Sequence, residues 1–442
     1  MAWPHATIWR SHSAIIWPAD KAPSSSFTSS REDSLTAGGI SDVFLRASKP
    51  GSTGPTVGSL EHEPLKAAAQ ATKLRVRLNL IVSRTITDPQ GDKHLPSKLE
   101  LLETMAFEGH EQILAVQDAP SGLRAWIAIH ALDPQPAFGG IRIFNYRSER
   151  DALFDALRLS RIMTYKCALA GVQGSGAKTV VISNSINDRT AAIRVLGRHI
   201  EGLGGIYRAG PDAGFTSDDQ QVLMEETQYI AHFGVDGRMQ SAGDATAEGA
   251  MHGILRALEL RSELQVEETT IAIQGLGAVG VSLAKRFLEL GARVIGADAD
   301  SSKIALAQNI GVTIVPPSKI LSTSCDVLVP CAMGGTIHDV SIPRIQASIV
   351  AGVANNTLGH DSQAALLKEN NITFLPDFAL NAGALIEGSH NLQTNENSCP
   401  QKIAEIGETI ASILERSDDD KLSTIEAAFA LASEKVIATK NH

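Results

Sequence analysis

The chain has 442 residues, of which 43% are hydrophobic and 20% charged, and its formal net charge at pH 7 is −10. This length allows two or three domains with buried cores, and the mixture is that of a soluble globular protein. The acidic balance and the lack of a basic block argue against nucleic-acid binding, and no apolar run reaches the roughly 18 residues of a membrane helix.

Residues 1–97 differ in composition from the rest of the chain. The stretches "KAPSSSFTSSREDSLTAGG" and "ASKPGSTGPTVGS" are rich in Ser, Gly, Pro and Thr, and such stretches cannot bury enough apolar surface to fold. A transit peptide is one interpretation, but Asp20, Glu32 and Asp33 and the lack of an Arg-rich amphipathic helix argue against it. We interpret residues 1–97 as a disordered or targeting-like extension and predict a cytoplasmic protein, with organellar targeting as the alternative.

Regular elements are predicted after this extension. "QILAVQD" and "LRAWIAIHA" are typical of strands, with Ser121 and Gly122 forming the turn between them. "SERDALFDALRLSRIMTYKCALA" predicts a helix, because Ser148 and Asp151 form a capping-box-like start and the leucines share one stripe. "KTVVIS" predicts a buried strand and "RTAAIRVLGRHIEGLGG" a second helix that ends in glycines.

The stretch "GVQGSGAKTVVIS", residues 171–183, is close to the phosphate-binding pattern G-x-x-x-x-G-K-[ST]. A phosphate-binding loop of that kind follows a strand and opens a helix. Lys178 has the reverse context, with a helix before the glycines and a strand after the lysine, and Ala177 occupies the glycine position before it. We therefore reject a nucleoside-triphosphate site here.

A second glycine loop has the context that the first one lacks. "TTIAIQGLGAVGVSLAKRFLELGARVIGADAD" predicts strand, glycine turn, helix and strand, and Asp298 lies 23 residues after Gly275. An acid at that position accepts hydrogen bonds from the ribose hydroxyls and repels a 2′-phosphate, so the cofactor is predicted to be NAD rather than NADP. A related fold that binds another ligand, such as S-adenosylmethionine, is the alternative. The predicted cofactor contacts are Gly275, Leu276, Gly277, Ala278, Val279, Gly280 and Asp298.

Two lysines flank the first glycine turn, Lys166 and Lys178, twelve residues apart. If the turn brings them together, each ammonium lowers the pKa of the other, as desolvation also does. One lysine can then act as a neutral base while the other holds a carboxylate. The alternative is a pair of solvated surface lysines, although "MTYKCALAG" is too apolar for a fully solvated face.

The stretch "FGGIRIFNYRSERDALFDALRLSRIMTYKCALAGVQGSGAK" resembles the signature region of the amino acid dehydrogenases. "YRAGPDAGFTSDD", "AIQGLGAVG", "DVLVPCAMGGTI", "AGVANNTL" and "LPDFALNAGALI" continue the resemblance in order, over about residues 98–442. It is closest to the leucine, phenylalanine, valine and tryptophan dehydrogenases, with glutamate dehydrogenase more distant. The resemblance implies NAD-dependent oxidative deamination of a hydrophobic, branched-chain or aromatic L-amino acid to the 2-oxo acid and ammonia, the reverse reductive amination, and a homo-oligomer, dimer or octamer.

The resemblance also implies roles for individual residues. Lys178 is the general base that activates water, Asp212 handles the proton on the amino group, and Lys166 binds the substrate carboxylate. The other substrate contacts that it implies are Gly139, Gly140, Asn356 and Asn381. These roles are chemically sensible, because hydride loss from Cα leaves an iminium that water must attack, and a base with a pKa of about 7 to 8 suits that step.

Five positions depart from the family pattern: Phe138, Cys167, Ser175, Ala177 and Glu387. We expect Ala177 to add a methyl where the backbone and the substrate approach each other. We expect Glu387 to be a solvated helix position; the alternative is a position facing the pocket, where it would change the substrate preference. Ser175, Ala177 and Glu387 motivate an alternative function, a catalytically weakened NAD-binding homologue with a regulatory or assembly role. A hydroxy acid dehydrogenase is a third hypothesis, but the usual His-acid pair for it is missing.

The predicted architecture is a two-domain α/β fold. Residues 98–240 form a substrate-binding and dimerisation domain, residues 241–390 a Rossmann NAD-binding domain, and residues 391–442 helices that return to the substrate domain. The active site is predicted in the cleft between the two domains. Four cysteines without a C-x-x-C pair, Cys167, Cys325, Cys331 and Cys399, predict free thiols, and no metal site is expected.

Overall fold

The structure, a computed structural model, describes residues 101–234 and 239–440. The predicted extension, residues 1–97, lies outside this part of the chain. Two β-sheets of different topology organise the described residues, and helices cover both sheets. The predicted α/β fold class is confirmed, whereas the boundaries assigned to the domains remain predictions.

The first sheet has five strands in the order β1-β2-β4-β3-β5. The strands are β1 (Gln112–Asp118), β2 (Leu123–Ile129), β3 (Ala137–Phe144), β4 (Ser175–Ile182) and β5 (Tyr207–Pro211). β3 lies between β4 and β5 and is parallel to both, while β2 is antiparallel to β4 and β1 is antiparallel to β2. The strands predicted on either side of Gly122 are confirmed as β1 and β2, and Gly122 takes a φ of +74° in the turn between them.

The helices associated with this sheet are α1 (Leu101–Glu108), α2 (Glu149–Leu169), α3 (Arg189–Gly202) and α4 (Ser217–Met224). The predicted start of α2 is confirmed, because the Ser148 hydroxyl accepts a hydrogen bond of 3.1 Å from the Asp151 N–H. The apolar stripe of α2, with Leu153 and Leu157, packs on Val180 of β4. This packing lays α2 across one face of β4.

The second sheet has six parallel strands in the order β11-β10-β9-β6-β7-β8. They are β6 (Thr270–Gln274), β7 (Arg293–Ala297), β8 (Thr313–Ile314), β9 (Val327–Pro330), β10 (Ile349–Ala351) and β11 (Thr373–Leu375). The residues of β9 and β10 and all but the last residue of β6 are buried, which is why these three strands read as continuous apolar runs. The order is that of a doubly wound dinucleotide-binding fold, in which the ligand crosses the carboxyl ends where the strand order reverses, here between β6 and β9.

The remaining helices follow the second sheet or connect the two sheets. They are α5 (Ala242–Arg261), α6 (Ala278–Glu289), α7 (Ser301–Asn309), α8 (Gln363–Glu369), α9 (Asp377–Leu380), α10 (Gly383–Thr394), α11 (Pro400–Ala404), α12 (Ile406–Asp419) and α13 (Thr424–Lys440). On α13, the Phe429 ring stacks on Phe378 at a centroid distance of 4.9 Å and meets the edge of Tyr165 of α2 at 5.4 Å. The C-terminal helix therefore joins α2 to α9.

The four cysteines are all free thiols, as predicted. Within residues 101–234 and 239–440 no helix is long and apolar enough to cross a bilayer. The same residues contain no cluster of His, Cys, Asp and Glu side chains that can hold a metal ion.

Candidate active site

Lys178 lies in the middle of β4, and only 5% of it is exposed. Side chains alternate along a strand, so Lys178 faces α2 together with Val180, while Ala177 and Val181 face the opposite core. The predicted context of Lys178 is confirmed, with the helix α2 before the glycine turn and the strand β4 after it. The lysine is thus held on rigid structure rather than on a loop.

The approach of α2 to β4 is closest at Gly176. A Cβ atom there would lie 2.2 Å from the Ser160 carbonyl oxygen and 2.2 Å from the Thr164 nitrogen. The Gly176 N–H also donates a hydrogen bond of 2.9 Å to the Thr164 hydroxyl. This close crossing brings the end of α2, which carries Lys166, over the strand that carries Lys178.

The pKa values of both lysines are lowered, mainly by burial. Burial is the largest cause that lowers the pKa of Lys166, to about 8; the charge of Lys178 lowers it further, and Asp377 opposes both. Burial is also the largest cause that lowers the pKa of Lys178, with Arg142 adding to it and Asp212 opposing it. Each pKa is therefore below that of a solvated lysine.

Asp212 directly follows β5, and its Oδ2 lies 2.7 Å from the Lys178 Nζ. The Arg142 Nε donates to the same oxygen at 3.0 Å. Burial alone would raise the pKa of Asp212, but the charges of Lys178 and Arg142 outweigh it and hold the pKa well below its usual range. Asp212 is a carboxylate poised beside a lysine, an arrangement able to pass a proton.

The paired glycines lie on β3. This strand lies between β4, which carries Lys178, and β5, which Asp212 follows. A Cβ at Gly139 would lie 1.7 Å from the Ala177 carbonyl oxygen, so only glycine fits there. A Cβ at Gly140 would lie 2.8 Å from the Asp212 Cβ and 3.3 Å from the Lys178 Nζ. The missing side chains leave space directly beside the lysine–aspartate pair.

Two of the predicted substrate contacts come from the second sheet. Asn356 follows β10, and its Oδ1 accepts a hydrogen bond of 2.7 Å from Arg158 of α2. Asn381 ends α9; its Nδ2 donates to Val353 and Asn355 at 3.0 Å and 2.9 Å. Among the described residues its buried Oδ1 has no partner, which leaves an acceptor for a ligand.

Four charged or polar residues around the site were not identified from the sequence. Arg142 and Tyr146 contact one oxygen of Asp155, at 3.0 Å and 2.5 Å, and Arg158 contacts the other at 2.8 Å. The sequence held one signal, because an arginine inside the apolar strand that carries Arg142 is an unusual position for a charge.

The glycine loop of the second sheet is shaped for a dinucleotide. Gly275 has a φ of +97°, and a Cβ at Gly280 would lie 1.9 Å from the Gly275 carbonyl oxygen. At Gly277 a Cβ would meet nothing within 4 Å, and no side chain caps the N-terminus of α6. Open space before uncapped backbone N–H groups is what a phosphate requires.

The rest of the fingerprint surrounds this space. Ala278 and Val279 begin α6 directly after the glycine turn. Asp298 follows β7, and its Oδ2 accepts a hydrogen bond of 2.8 Å from the Leu276 N–H. The acid is therefore placed at the edge of the loop, where the ribose of a dinucleotide would lie.

Two expectations about the departures were wrong. Ala177 is fully buried in the core with Ile129 and Tyr207, on the face of β4 opposite Lys178, so its methyl does not face the substrate space. Glu387, expected to be solvated, is fully buried and accepts a hydrogen bond of 2.8 Å from Gln240. Its burial raises its pKa to about 7.

The other three departures also lie in packed structure. Phe138 is buried on β3. The Ser175 hydroxyl donates to the Ala131 carbonyl at 2.5 Å, and the fully buried Cys167 thiol donates to the Ser175 carbonyl at 3.4 Å. Neither hydrogen bond involves Lys166 or Lys178.

Three family models match the chain. The dimerisation domain of the Glu/Leu/Phe/Val dehydrogenases matches residues 110–232, and the Glutamate/Leucine/Phenylalanine/Valine dehydrogenase model matches residues 301–442. Leucine dehydrogenase from Bacillus cereus is 37% identical over 350 residues, which cover 78% of this chain and 95% of that protein. This chain belongs to the Glu/Leu/Phe/Val dehydrogenase family.

Other members and solved structures agree with this family. L-tryptophan dehydrogenase from Nostoc punctiforme is 35% identical over 344 residues, or 77% of this chain and 97% of that protein. Its crystal structure matches with a TM-score of 0.67 at 34% identity, covering 77% of this chain and all of that one. A hetero-hexameric glutamate dehydrogenase from Thermus thermophilus shares the fold at 18% identity, with a TM-score of 0.64 over 80% of this chain and 98% of that one.

Family membership confirms the resemblance seen in the sequence. The chain is an oxidoreductase of the amino acid dehydrogenase class, with a dimerisation domain and a C-terminal domain that binds a nicotinamide cofactor. The NAD-binding domain of D-isomer specific 2-hydroxyacid dehydrogenases also matches, over residues 238–338. That match covers only the dinucleotide-binding half, which the two classes of dehydrogenase share as a fold.

Proposed function

We propose that this member of the Glu/Leu/Phe/Val dehydrogenase family oxidatively deaminates a hydrophobic L-amino acid with NAD, giving the 2-oxo acid and ammonia, and catalyses the reverse reductive amination. The observation that carries the proposal is the buried Lys178–Asp212 pair, 2.7 Å apart, near a second, partly buried lysine and a pair of glycines. The names of the relatives, dehydrogenases of leucine, tryptophan and phenylalanine, support a branched-chain or aromatic substrate.

The substrate carboxylate binds Lys166, which is charged below its pKa of about 8. Asp212, a carboxylate throughout the neutral range, accepts a proton from the substrate ammonium, so that the amine lone pair can assist hydride loss from Cα. The nicotinamide, when bound by Gly275–Gly280 and Asp298, supplies the hydride acceptor. The amide groups of Asn356 and Asn381 contact the substrate and the nicotinamide.

Lys178 then takes a proton from water as the water attacks the iminium carbon. Burial favours this step, because it lowers the pKa of Lys178 and so raises the fraction of neutral amine. Asp212 returns its proton to the amino group, which leaves as ammonia. The hydroxyl of the tetrahedral intermediate gives its proton to the carboxylate of Asp212 as the carbon–nitrogen bond breaks, and the 2-oxo acid forms.

NAD is preferred over NADP in this proposal because Asp298 would repel a 2′-phosphate at the edge of the glycine loop. We also propose that the chain works as a homo-oligomer, either a dimer or an octamer. The match of residues 110–232 to the family's dimerisation domain supports self-association.

The test is reduction of NAD, followed by the absorbance of NADH, with leucine, valine, phenylalanine and tryptophan as substrates. Replacing Lys178 with Ala should lower kcat by about 10²- to 10⁴-fold, the usual value of a positioned general base. Lys319→Ala, at an exposed lysine, is the matched control and should keep full activity. The proposal fails if no amino acid reduces NAD although NAD binds, or if Lys178→Ala remains as active as Lys319→Ala.

A further inference from the structure

An unbroken series of short polar contacts runs from the proposed general base to the loop of the second sheet. The contacts are Lys178 Nζ to Asp212 Oδ2 at 2.7 Å, Arg142 Nε to Asp212 Oδ2 at 3.0 Å, Arg142 Nη1 to Asp155 Oδ2 at 3.0 Å, Arg158 Nη2 to Asp155 Oδ1 at 2.8 Å, and Arg158 Nη1 to Asn356 Oδ1 at 2.7 Å. The reaction described above uses Lys178, Asp212 and Asn356, but not Arg142, Asp155 and Arg158. The middle members need an explanation of their own.

The centre of the series is shielded from water. The side chains of Arg142 and Asp155 are only 15% and 16% exposed. A charge-assisted hydrogen bond in such surroundings is stronger and more directional than a surface ion pair. Arg142 is therefore held between two carboxylates, and its position depends on how each of them is satisfied.

Arg158 provides a hydrogen-bond partner for one of the two carboxylates, Asp155. It binds Asp155 Oδ1, while Tyr146 and Arg142 share Oδ2. Arg158 and Arg142 together outweigh the effect of burial and lower the pKa of Asp155. Without Arg158, Asp155 Oδ1 would become free to accept a second bond from Arg142, because guanidinium and carboxylate groups pair through two parallel bonds.

The second sheet holds Arg158 from its other side. Asn356 adopts a left-handed backbone, with a φ of +53°, a conformation that asparagine tolerates better than most residues. The Gly335 N–H donates to the Asn356 carbonyl at 2.7 Å, which helps to fix this loop. The side-chain amide is thereby presented to Arg158 on α2.

We propose that Arg158 is a positioning residue for the reaction: by binding Asn356 and Asp155 together, it keeps Arg142 on Asp212 and so fixes Asp212 against Lys178. The inference rests on the proposed function. It predicts that the loop carrying Asn356 and the proton-transfer pair act as one unit, although they belong to different sheets.

Loss of Arg158 should raise the pKa values of both Asp212 and Lys178. When Arg142 turns toward Asp155, Asp212 loses one of the two cations that lower its pKa, and Lys178 loses a cation that lowers its own. Both pKa values therefore rise. Since the reaction needs an ionised Asp212 and a neutral Lys178, activity should require a higher pH.

The test compares Arg158→Met with Arg161→Met in the full chain. Arg161 lies one turn further along α2 and pairs with Glu108 at 3.0 Å, which makes it a matched control. Arg158→Met should lower kcat about tenfold or more, with little change in the KM for NAD, since a small misplacement of catalytic groups has effects of this size. The acid limb of kcat/KM should move up by about half a pH unit or more. Arg161→Met should change neither.

Further variants separate positioning from a loss of folding. Arg158 is half exposed, and Arg158→Lys keeps the charge but not the fork that spans Asp155 and Asn356, so it should recover only part of the loss. Because Arg158 and Asn356 share one bond, Arg158→Met combined with Asn356→Ala should lower kcat by less than the product of the two single losses.

Two results would overturn the inference: an Arg158→Met enzyme with the kcat and pH profile of Arg161→Met, or losses that multiply in the double variant. These results are distinct from failure of the proposed function. If the proposed function were wrong, the unmodified protein itself would fail to reduce NAD with any amino acid of the panel.

Discussion

Ala177 and Lys178 are neighbours in the sequence and opposite in environment. Strand alternation turns the alanine into the core behind the first sheet and the lysine toward α2 and Asp212. Ser175 and Thr179 share the alanine's face, where their hydroxyls contact Ala131 and Tyr207. Between Ser175 and Lys178, the residue in direct backbone contact with α2 is therefore Gly176.

Replacing Ala177 with Gly tests this assignment. The change removes a buried methyl and loosens a strand, so it should lower the free energy of unfolding by about 1–2 kcal/mol. It should leave kcat/KM unchanged, because the methyl does not face the substrate space. Urea unfolding and steady-state kinetics measure the two effects. Ala209→Gly, at a buried position of β5, should cost similar stability. A clear rise in kcat/KM of Ala177→Gly would contradict the assignment.

At the scale of elements, α2 organises most of the site. Its apolar stripe packs on β4. Arg158 lies one turn after Asp155 and Lys166 three turns after it, so these three side chains share one side of the helix. The helix can perform both tasks only if its height above β4 is fixed. Gly176 fixes that height by allowing direct backbone contact.

Gly176→Ala should therefore affect stability and substrate binding together. The new Cβ would lie 2.2 Å from backbone atoms of α2, which cannot move as a flexible side chain can. Overpacking of this kind costs about 1–3 kcal/mol or more, and the KM for the amino acid should rise as Lys166 shifts. Gly202→Ala, where a Cβ meets nothing within 4 Å, is the control. Equal unfolding midpoints for the two variants would refute the close-contact explanation.

At the scale of the whole molecule, the site is assembled from both sheets. The first sheet and α2 supply the lysines and Asp212, and the second sheet supplies Asn356 and Asp377. Asp377 begins α9, where its carboxylate accepts hydrogen bonds from Thr357 at 3.1 Å and Phe378 at 2.8 Å. Its charge is the main influence that opposes the effect of burial on the pKa of Lys166.

The pH dependence of substrate binding follows from this arrangement. Lys166 holds a carboxylate only while it is protonated, so the KM for the amino acid should rise above its pKa of about 8. Asp377→Asn removes the charge that raises this pKa, so the rise in KM should begin at a lower pH. Amino acid KM values measured across the pH range test the shift. Asp418→Asn, at an exposed aspartate of α12, should behave like the unmodified chain, and an unshifted Asp377→Asn profile would contradict the role given to Asp377.

The sequence by itself determined the local elements and the cofactor loop. The Ser148 cap, the turn at Gly122 and the spacing Gly275-x-Gly-x-x-Gly are local signals, because each depends on neighbouring residues and their backbone conformations. The order of the motifs likewise indicated the family, which the comparisons confirmed. The roles of individual site residues came from the same resemblance and remain predictions.

Only the tertiary structure decided which distant side chains meet and which face each side chain takes. The Lys178–Asp212 pair joins residues 34 positions apart, and the Arg158–Asn356 bond joins residues 198 positions apart. No local propensity encodes such contacts. The burial of Ala177 and Glu387 was missed for the same reason: the free energy of burying a side chain depends on the elements that pack around it, and residue type alone gives only its average exposure.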